Sequence, residues 1–376
     1  MMKNCNIAYY ISSHGFGHLT RSLALIEYML ENTDCKIYLC SGEAQIEFAQ
    51  IYLNRFSDKV RYSVFKTDVG IVNKKNSLEV DVDATNKAVY GMLDTYSEKA
   101  STEAKKLVDL KIELIISDVS AFACLVAELA DINLVEIGNF TWTDQYISVG
   151  ADQKIIETFK EIYSTCANFI AYDLSLEFAG APQNSVFKSG YLTSRPIKAE
   201  RVKEIRQKYS KLYKEKTGSQ NCDMLYLSLG KSAELPQVNI KNFNGVVFYT
   251  QGIEFNQSEY PNIIFEKLPN EICDSQSFIA AADLVIAKAG WSTSAEGVVA
   301  HSKMLLIERP GVDDDMNTIN SLKKKQLASS LTTEEVVNLD YTMLLERAKS
   351  DINTDKLNKV SNDTDKMCKK LMSYIK

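Results

Sequence analysis

The chain has 376 residues, 45% of them hydrophobic and 24% charged, with a formal net charge of −6. That length suits two domains, the composition excludes a disordered chain, and the acidic balance argues against nucleic acid, which favours a basic face. Its eight cysteines include no CxxC pair, which reads as free thiols in a reducing cytosol and neither a disulfide frame nor a zinc site.

The N-terminal MMKNCNIAYYISSHG lacks the apolar core of a signal peptide. No apolar run reaches the roughly 20 residues that span a bilayer, so a cytoplasmic protein is expected, with at most peripheral membrane contact. From there, short apolar runs alternate with longer amphipathic ones, the pattern of βα units around a parallel sheet. Strands are expected at 5–12, 36–41, 60–65, 113–118, 133–139 and 168–173, and helices at 17–31, 86–109 and 121–130. SGYLTSRPIK (189–198) has the composition of a hinge, and the Lys- and Arg-rich segment 198–216 reads as a helix with a solvated face. A second series of strands follows at 223–230, 245–252, 262–269, 283–290 and 303–311, and a short helical pattern closes the chain. The expected architecture is α/β: two Rossmann-like domains whose parallel sheets face each other across a cleft. Their bounds are 1–195 and 196–362, with 363–376 packing back on the first domain.

Two of the three histidines fall in one loop, SSHGFGHLTRS (12–22). Gly15 and Gly17 let the backbone turn sharply and let a ligand approach, and the amides of the following helix favour an anion. Thr20 occupies the third glycine position of G-x-G-x-x-G, which weakens a dinucleotide reading. His18, at the loop–helix junction beyond strand one, suits a general base, while His14 shapes the loop. Asp118 ends another apolar strand on the same sheet edge. It reads either as the carboxylate that orients His18 or as the N-cap of the helix from Ala121.

In the second half, AKAGWSTSAEG (287–297) runs from strand to glycine to hydroxyl residues to helix, an arrangement that suits a diphosphate. Gly290, Ser292 and Thr293 supply amides and hydroxyls, and Lys288 and Arg309 are near enough in sequence to offset phosphate charge. Glu296 reads as a ribose-diol acceptor, or, with Thr293, as a T-x-x-E capping box. LGKS (229–232) is not a P-loop, because Leu225 stands where glycine is required.

The chain resembles the GT-B glycosyltransferases over nearly its full length. SHGFGHLTRS looks like the GHxxR loop of bacterial UDP-sugar transferases related to the lipid-linked GlcNAc transferase of peptidoglycan synthesis. It also resembles the N-terminal domain of plant arabinokinases. GWSTSAEGVVAHSKMLLIERPG is similar to the G-x-x-T-x-x-E…P donor motif. The resemblance implies that Gly290, Ser292 and Thr293 contact the diphosphate, Glu296 the ribose, Leu268 of FEKLP the uracil, and Gly17 and Gly230 the donor. It implies a base–orienter pair of His18 and Asp118, and an acceptor site with His14, Arg21, Phe140 and Trp142. One departure stands out: relatives carry D-Q-x-x-N, where this chain, aligned on Asn320, has Met316 and Asn317, with Asp315 adjacent. The sugar contacts then fall to Asp315, Asn317 and Asn320, and the sugar need not be glucose-like.

The expected activity is therefore metal-independent, inverting hexosyl transfer from a UDP-sugar co-substrate to a small-molecule, glycan or lipid hydroxyl, with no cofactor. The alternatives are a UDP-sugar epimerase of the same fold and a non-catalytic nucleotide-sugar-binding protein.

Overall fold

The computed structural model describes residues 5–72, 74, 80–175, 178, 186–188, 194–229, 237–269, 273–310 and 312–375. The chain forms two compact units, residues 1–193 with 363–376, and residues 194–362.

Unit 1 is built on β1 (Asn6–Ile11), β2 (Lys36–Ser41), β3 (Val60–Val64), β4 (Leu114–Asp118), β5 (Leu134–Gly138), β6 (Asn168–Ala171) and β7 (Val186–Lys188). They pair in the order β3-β2-β1-β4-β5-β6-β7, all parallel. Helices α1 (Gly17–Asn32), α2 (Glu43–Tyr52), α3 (Val82–Asp109), α4 (Ala121–Ala130), α5 (Trp142–Ser148) and α6 (Gln153–Ser164) connect them. β1, β4 and β5 are buried over almost their whole length. A parallel sheet covered on both faces demands such continuous apolar runs.

The register of β1 with β2 sets Asn6 beside Lys36, so Cys5 and Cys35 meet in a buried disulfide with Cα atoms 4.5 Å apart. This corrects the expectation of free thiols throughout. Thirty residues separate the two in sequence, so no local spacing betrays the pair; the other six cysteines are free.

Unit 2 repeats the plan with β8 (Asp223–Ser228), β9 (Asn239–Lys241), β10 (Gly245–Tyr249), β11 (Ile263–Lys267), β12 (Leu284–Lys288), β13 (Met304–Ile307), β14 (Ser329–Leu331) and β15 (Asn338–Asp340). A six-stranded sheet runs β11-β10-β8-β12-β13-β14, and β9 pairs with β15. Its helices are α7 (Ala199–Thr217), α8 (Ser275–Ala281), α9 (Trp291–Val299), α10 (Asp313–Lys325), α11 (Thr333–Val337), α12 (Tyr341–Asp351) and α13 (Thr354–Leu357). In α7, Ile205, Tyr209 and Tyr213 form one buried stripe at four-residue spacing, as an amphipathic helix requires.

Ser194 and Asn362, the first and last residues of unit 2, hold each other. Ser194 N–H donates to Asn362 Oδ1 (3.1 Å), and Asn362 Nδ2 donates to Ser194 O (2.8 Å). The closing helix, α14 (Thr364–Met372), belongs to unit 1. It packs on α1, with Cys368 Sγ 3.5 Å from Leu25 O and Tyr28 OH bonded to Asp365. No helix among the described residues is long and apolar enough to cross a membrane.

Two glycines separate sterics from propensity. A Cβ on Gly245 would lie 1.9 Å from Asp223 O on the neighbouring strand, whereas one on Gly91, in α3, meets nothing within 4 Å. Gly245→Ala should therefore cost about 1–3 kcal/mol in urea unfolding. Gly91→Ala should gain about 0.5–1 kcal/mol. A neutral Gly245→Ala would contradict the strand packing described here.

Candidate active site

Asp118 ends β4 beside Ile11, and Ser12 N–H donates to its carbonyl (3.1 Å), which fixes the glycine-rich loop against this strand end. The next residue, Val119, has φ 69°, a costly conformation for a β-branched side chain that turns the chain sharply into α4. Three side chains of α1 converge on the Asp118 carboxylate: His18, Arg21 and Ser22. Their spacing, i, i+3 and i+4, puts them on one helix face. His18 Nδ1 is 2.9 Å from Oδ1, Ser22 Oγ donates to Oδ2 (2.9 Å), and Arg21 donates from Nε to Oδ2 (2.7 Å) and from Nη2 to Oδ1 (2.5 Å). Arg21 also donates from Nη1 to Asn139 Oδ1 (2.6 Å), and its guanidinium lies over the Tyr172 ring.

The charges in this cluster set its protonation. Burial pushes the Asp118 carboxyl up, but the charge and hydrogen bonds of Arg21, joined by His18, more than reverse this and hold it at about 2. Burial pulls His18 below its ordinary value, and the Arg21 charge adds to that against the opposing pull of Asp118. His18 is thus a neutral imidazole beside an ionised carboxylate. Its Nδ1 also lies 2.8 Å from Arg21 Nη2. A charged acceptor makes the stronger bond, which favours Nδ1–H donating to Asp118. In that tautomer Nε2, which has no hydrogen-bond partner among the described residues, keeps its lone pair.

The loop itself is braced by residues that sequence patterns did not single out. Gln45 Nε2, on α2, donates to Ser13 O (2.9 Å) and Gly15 O (3.1 Å), and Ser13 N–H donates to Asp68 Oδ1 (3.1 Å). His14 packs edge-on to Trp142 and sits where a Cβ on Gly70 would stand, 1.8 Å from Nδ1; a side chain at 70 would displace the His14 ring. Burial lifts the Asp68 carboxyl to about 6, although Thr67 Oγ1 and the Ser13 amide donate to it. Asp68 follows the carboxyl end of β3, the same kind of position that marked Asp118 in the sequence.

Two of the expected acceptor contacts are deeply buried. Trp142 is 1% exposed, because the Thr141–Asp144 capping box turns it inward at the start of α5, against Phe140 and Tyr146. Its ring also meets that of His14 edge-on. Arg21, 3% exposed, is spent on Asp118 and Asn139 and stands behind His18. Phe140 is buried and sets its ring at right angles to His18, with centroids 5.2 Å apart. His14 and Gly17 are exposed.

In unit 2, Lys288 ends β12 and Gly290, which has no side chain to cap with, is the N-cap of α9. Ser292 and Thr293 are half-buried in its first turn, where the backbone amides point out along the helix axis. Thr293 and Glu296 both lie inside α9, so the capping-box alternative is not what this helix uses. The Glu296 carboxylate is buried and meets Arg195: Nε and Nη2 donate to Oε1 at 3.2 and 2.8 Å, and Ser275 Oγ donates to Oε2 (3.3 Å). Arg309 donates to Asp315 Oδ2 (2.9 Å) at the start of α10, where Asn317 is half-buried and Asn320 exposed. Leu268 is buried and its N–H donates to Tyr249 O (2.8 Å). Gly230, part of the expected hinge (189–193) and the LGKS segment beyond Leu229 lie outside the described residues. Among the described residues no group of three or more His, Cys, Asp or Glu is placed to hold a metal ion.

No family model matches the chain. It is similar to the L-arabinokinase of Arabidopsis thaliana, 23% identical over 362 residues that cover 93% of this chain and 32% of that protein. The chain thus spans about a third of the length of the curated relative it matches. Among solved structures, it is similar to UGT89C1 of Arabidopsis thaliana in complex with UDP-L-rhamnose, with a TM-score of 0.60 at 11% identity, covering 98% of this chain and 100% of that one. The calicheamicin glycosyltransferase CalG4 has a TM-score of 0.57 at 13% identity, over 99% of this chain and 98% of that one. MurG of Acinetobacter baumannii has a TM-score of 0.50 at 13% identity, over 99% of this chain and all of that one. The fold is that of the GT-B glycosyltransferases.

The raised carboxyl beside the loop makes a stability prediction. A raised carboxyl stabilises the fold fully below its unfolded value of 3.8, and this is lost as pH rises through about 6. Between about pH 5 and about pH 8, Asp68 should lower the stability of the wild type by about 1.4 kcal/mol. Asp68→Asn should lack that loss, while His18 acts alike in both proteins. Urea unfolding at the two pH values checks this; identical pH responses would show that Asp68 is not the buried acid described.

Proposed function

We propose that this chain is a glycosyltransferase that moves a sugar from a UDP-sugar to an acceptor hydroxyl with inversion. The observation that carries the reading is the buried pair of His18 and ionised Asp118, with Nδ1 2.9 Å from the carboxylate and Nε2 left free to accept a proton. UGT89C1 has been solved in complex with UDP, UDP-L-rhamnose and quercetin, and the likeness of fold supports a UDP-sugar and a small-molecule acceptor here.

In this reaction Nε2 of His18 takes the acceptor hydroxyl proton as the acceptor oxygen bonds to the anomeric carbon. The bond from that carbon to the diphosphate oxygen breaks, and UDP carries off the electron pair. Asp118 accepts the Nδ1–H bond and stabilises the imidazolium. Arg21 keeps Asp118 ionised, but its own charge disfavours the imidazolium, so the base is a mild one that stays neutral into acidic solution. In unit 2, Gly290, Ser292 and Thr293 present first-turn amides and hydroxyls to the diphosphate, with Lys288 and Arg309 offsetting its charge. Glu296 accepts from the ribose, Leu268 borders the base, and Asp315, Asn317 and Asn320 contact the sugar.

His18→Ala should lose about two to four orders of magnitude in transfer, read as UDP release from a panel of UDP-sugars with hydroxyl acceptors. Calorimetric UDP binding should be nearly intact. The acid limb of kcat/KM in the wild type should lie below about 6.5, since the His18 value is lowered. Unchanged turnover in His18→Ala would remove histidine from the mechanism.

A further inference from the structure

Arg195 lies outside the residues assigned above and is held as tightly as any of them. It is the second residue of unit 2, it is only 2% exposed, and every nitrogen of its guanidinium has a partner. Nε and Nη2 grip Glu296 Oε1, Nη1 donates to Cys273 O (2.8 Å), and Nη2 donates to Ser275 Oγ (2.5 Å). Ser275 Oγ in turn donates to Glu296 Oε2. Arg195 and Glu296 lie 101 residues apart.

Such a buried charge pair is poor evidence for stability, because an apolar pair of the same volume commonly does as well. What it fixes is direction. A lone carboxylate on a helix rotates about its terminal torsion, whereas a planar guanidinium fork holds one oxygen and leaves the other aimed. Here Oε1 takes both Arg195 donors, and among the described residues Oε2 has only the long Ser275 bond, so Oε2 retains acceptor capacity.

We infer that Arg195 is a positioning residue for nucleotide recognition: with Ser275 it locks Glu296 so that Oε2 accepts from the ribose hydroxyls. The inference rests on the UDP-sugar reading above. Selectivity for ribose over its deoxy forms is then set by a residue that never touches the ligand.

The test is calorimetric binding of UDP, 2′,3′-dideoxy-UDP and uridine to wild type, Arg195→Gln, Arg195→Lys and Ser275→Ala. A hydrogen bond to a charged group is worth about 1.5–3 kcal/mol, so wild type should prefer UDP over the dideoxy form by about 10–100-fold. Arg195→Gln should reduce that preference to about 3-fold or less, and Arg195→Lys, which keeps the charge without the fork, should fall between. The preference for UDP over uridine, which reads the diphosphate, should not change; a merely structural defect would lower both ratios together. If Arg195→Gln does not fold, Ser275→Ala carries the test, with a smaller loss of ribose preference expected. Full ribose preference in the Arg195 and Ser275 variants would overturn the inference and leave the donor reading standing, as would UDP binding without ribose preference in wild type. No UDP binding at all would overturn the donor reading and this inference with it.

Discussion

A carboxylate without access to water must find a countercharge or lose its own, and unit 1 is organised around how Asp118 meets that demand. The carboxylate stands at the end of a fully buried strand, where the ionised form would cost several kcal/mol uncompensated. Arg21 supplies the countercharge from one helical turn beyond His18, so acid, base and cation occupy one face and one strand end. Burial, reinforced by the Arg21 charge against the opposing pull of Asp118, explains why the histidine resists protonation. The cluster also explains why the loop before α1 needs glycines: the helix must start close enough to the strand for its first turn to reach the carboxylate.

Unit 2 solves a similar problem with different parts. Its buried acid is on the helix instead of the strand, and its arginine comes from the segment before α7. In both units an arginine holds a carboxylate that has a further use, so the cost of burying the pair is tied to orientation more than to stability. The two helix starts complete the likeness: α1 follows Phe16 and α9 follows Gly290, N-cap residues whose own side chains make no capping bond.

The strands were legible because parallel strands buried on both faces must be written as unbroken apolar runs, as in KIYLCS and DLVIAK. The three-residue strands β7, β9, β14 and β15 escaped that reading, because so short a segment has no pattern of its own. That His18 and Asp118 would meet was legible by position, since one enters the helix after β1 and the other ends β4 on the same sheet edge. The burial of Trp142 was not legible, because it depends on T-W-T-D closing into a capping box at the start of α5. Arg195 carried no local signal, since its meaning comes from a partner 101 residues away. Asp68 had the same signal as Asp118 but lacked the histidine that drew attention to the latter.

The mutual hydrogen bonds of Ser194 and Asn362 bring the two ends of residues 194–362 to one point. In evolutionary terms this is the geometry of an insertion: a module whose entry and exit coincide interrupts its host chain at a single place, with little disturbance to either core. The closing helix on α1 is then the continuation of the host after the interruption, and the boundary at 362–363 is a seam between modules.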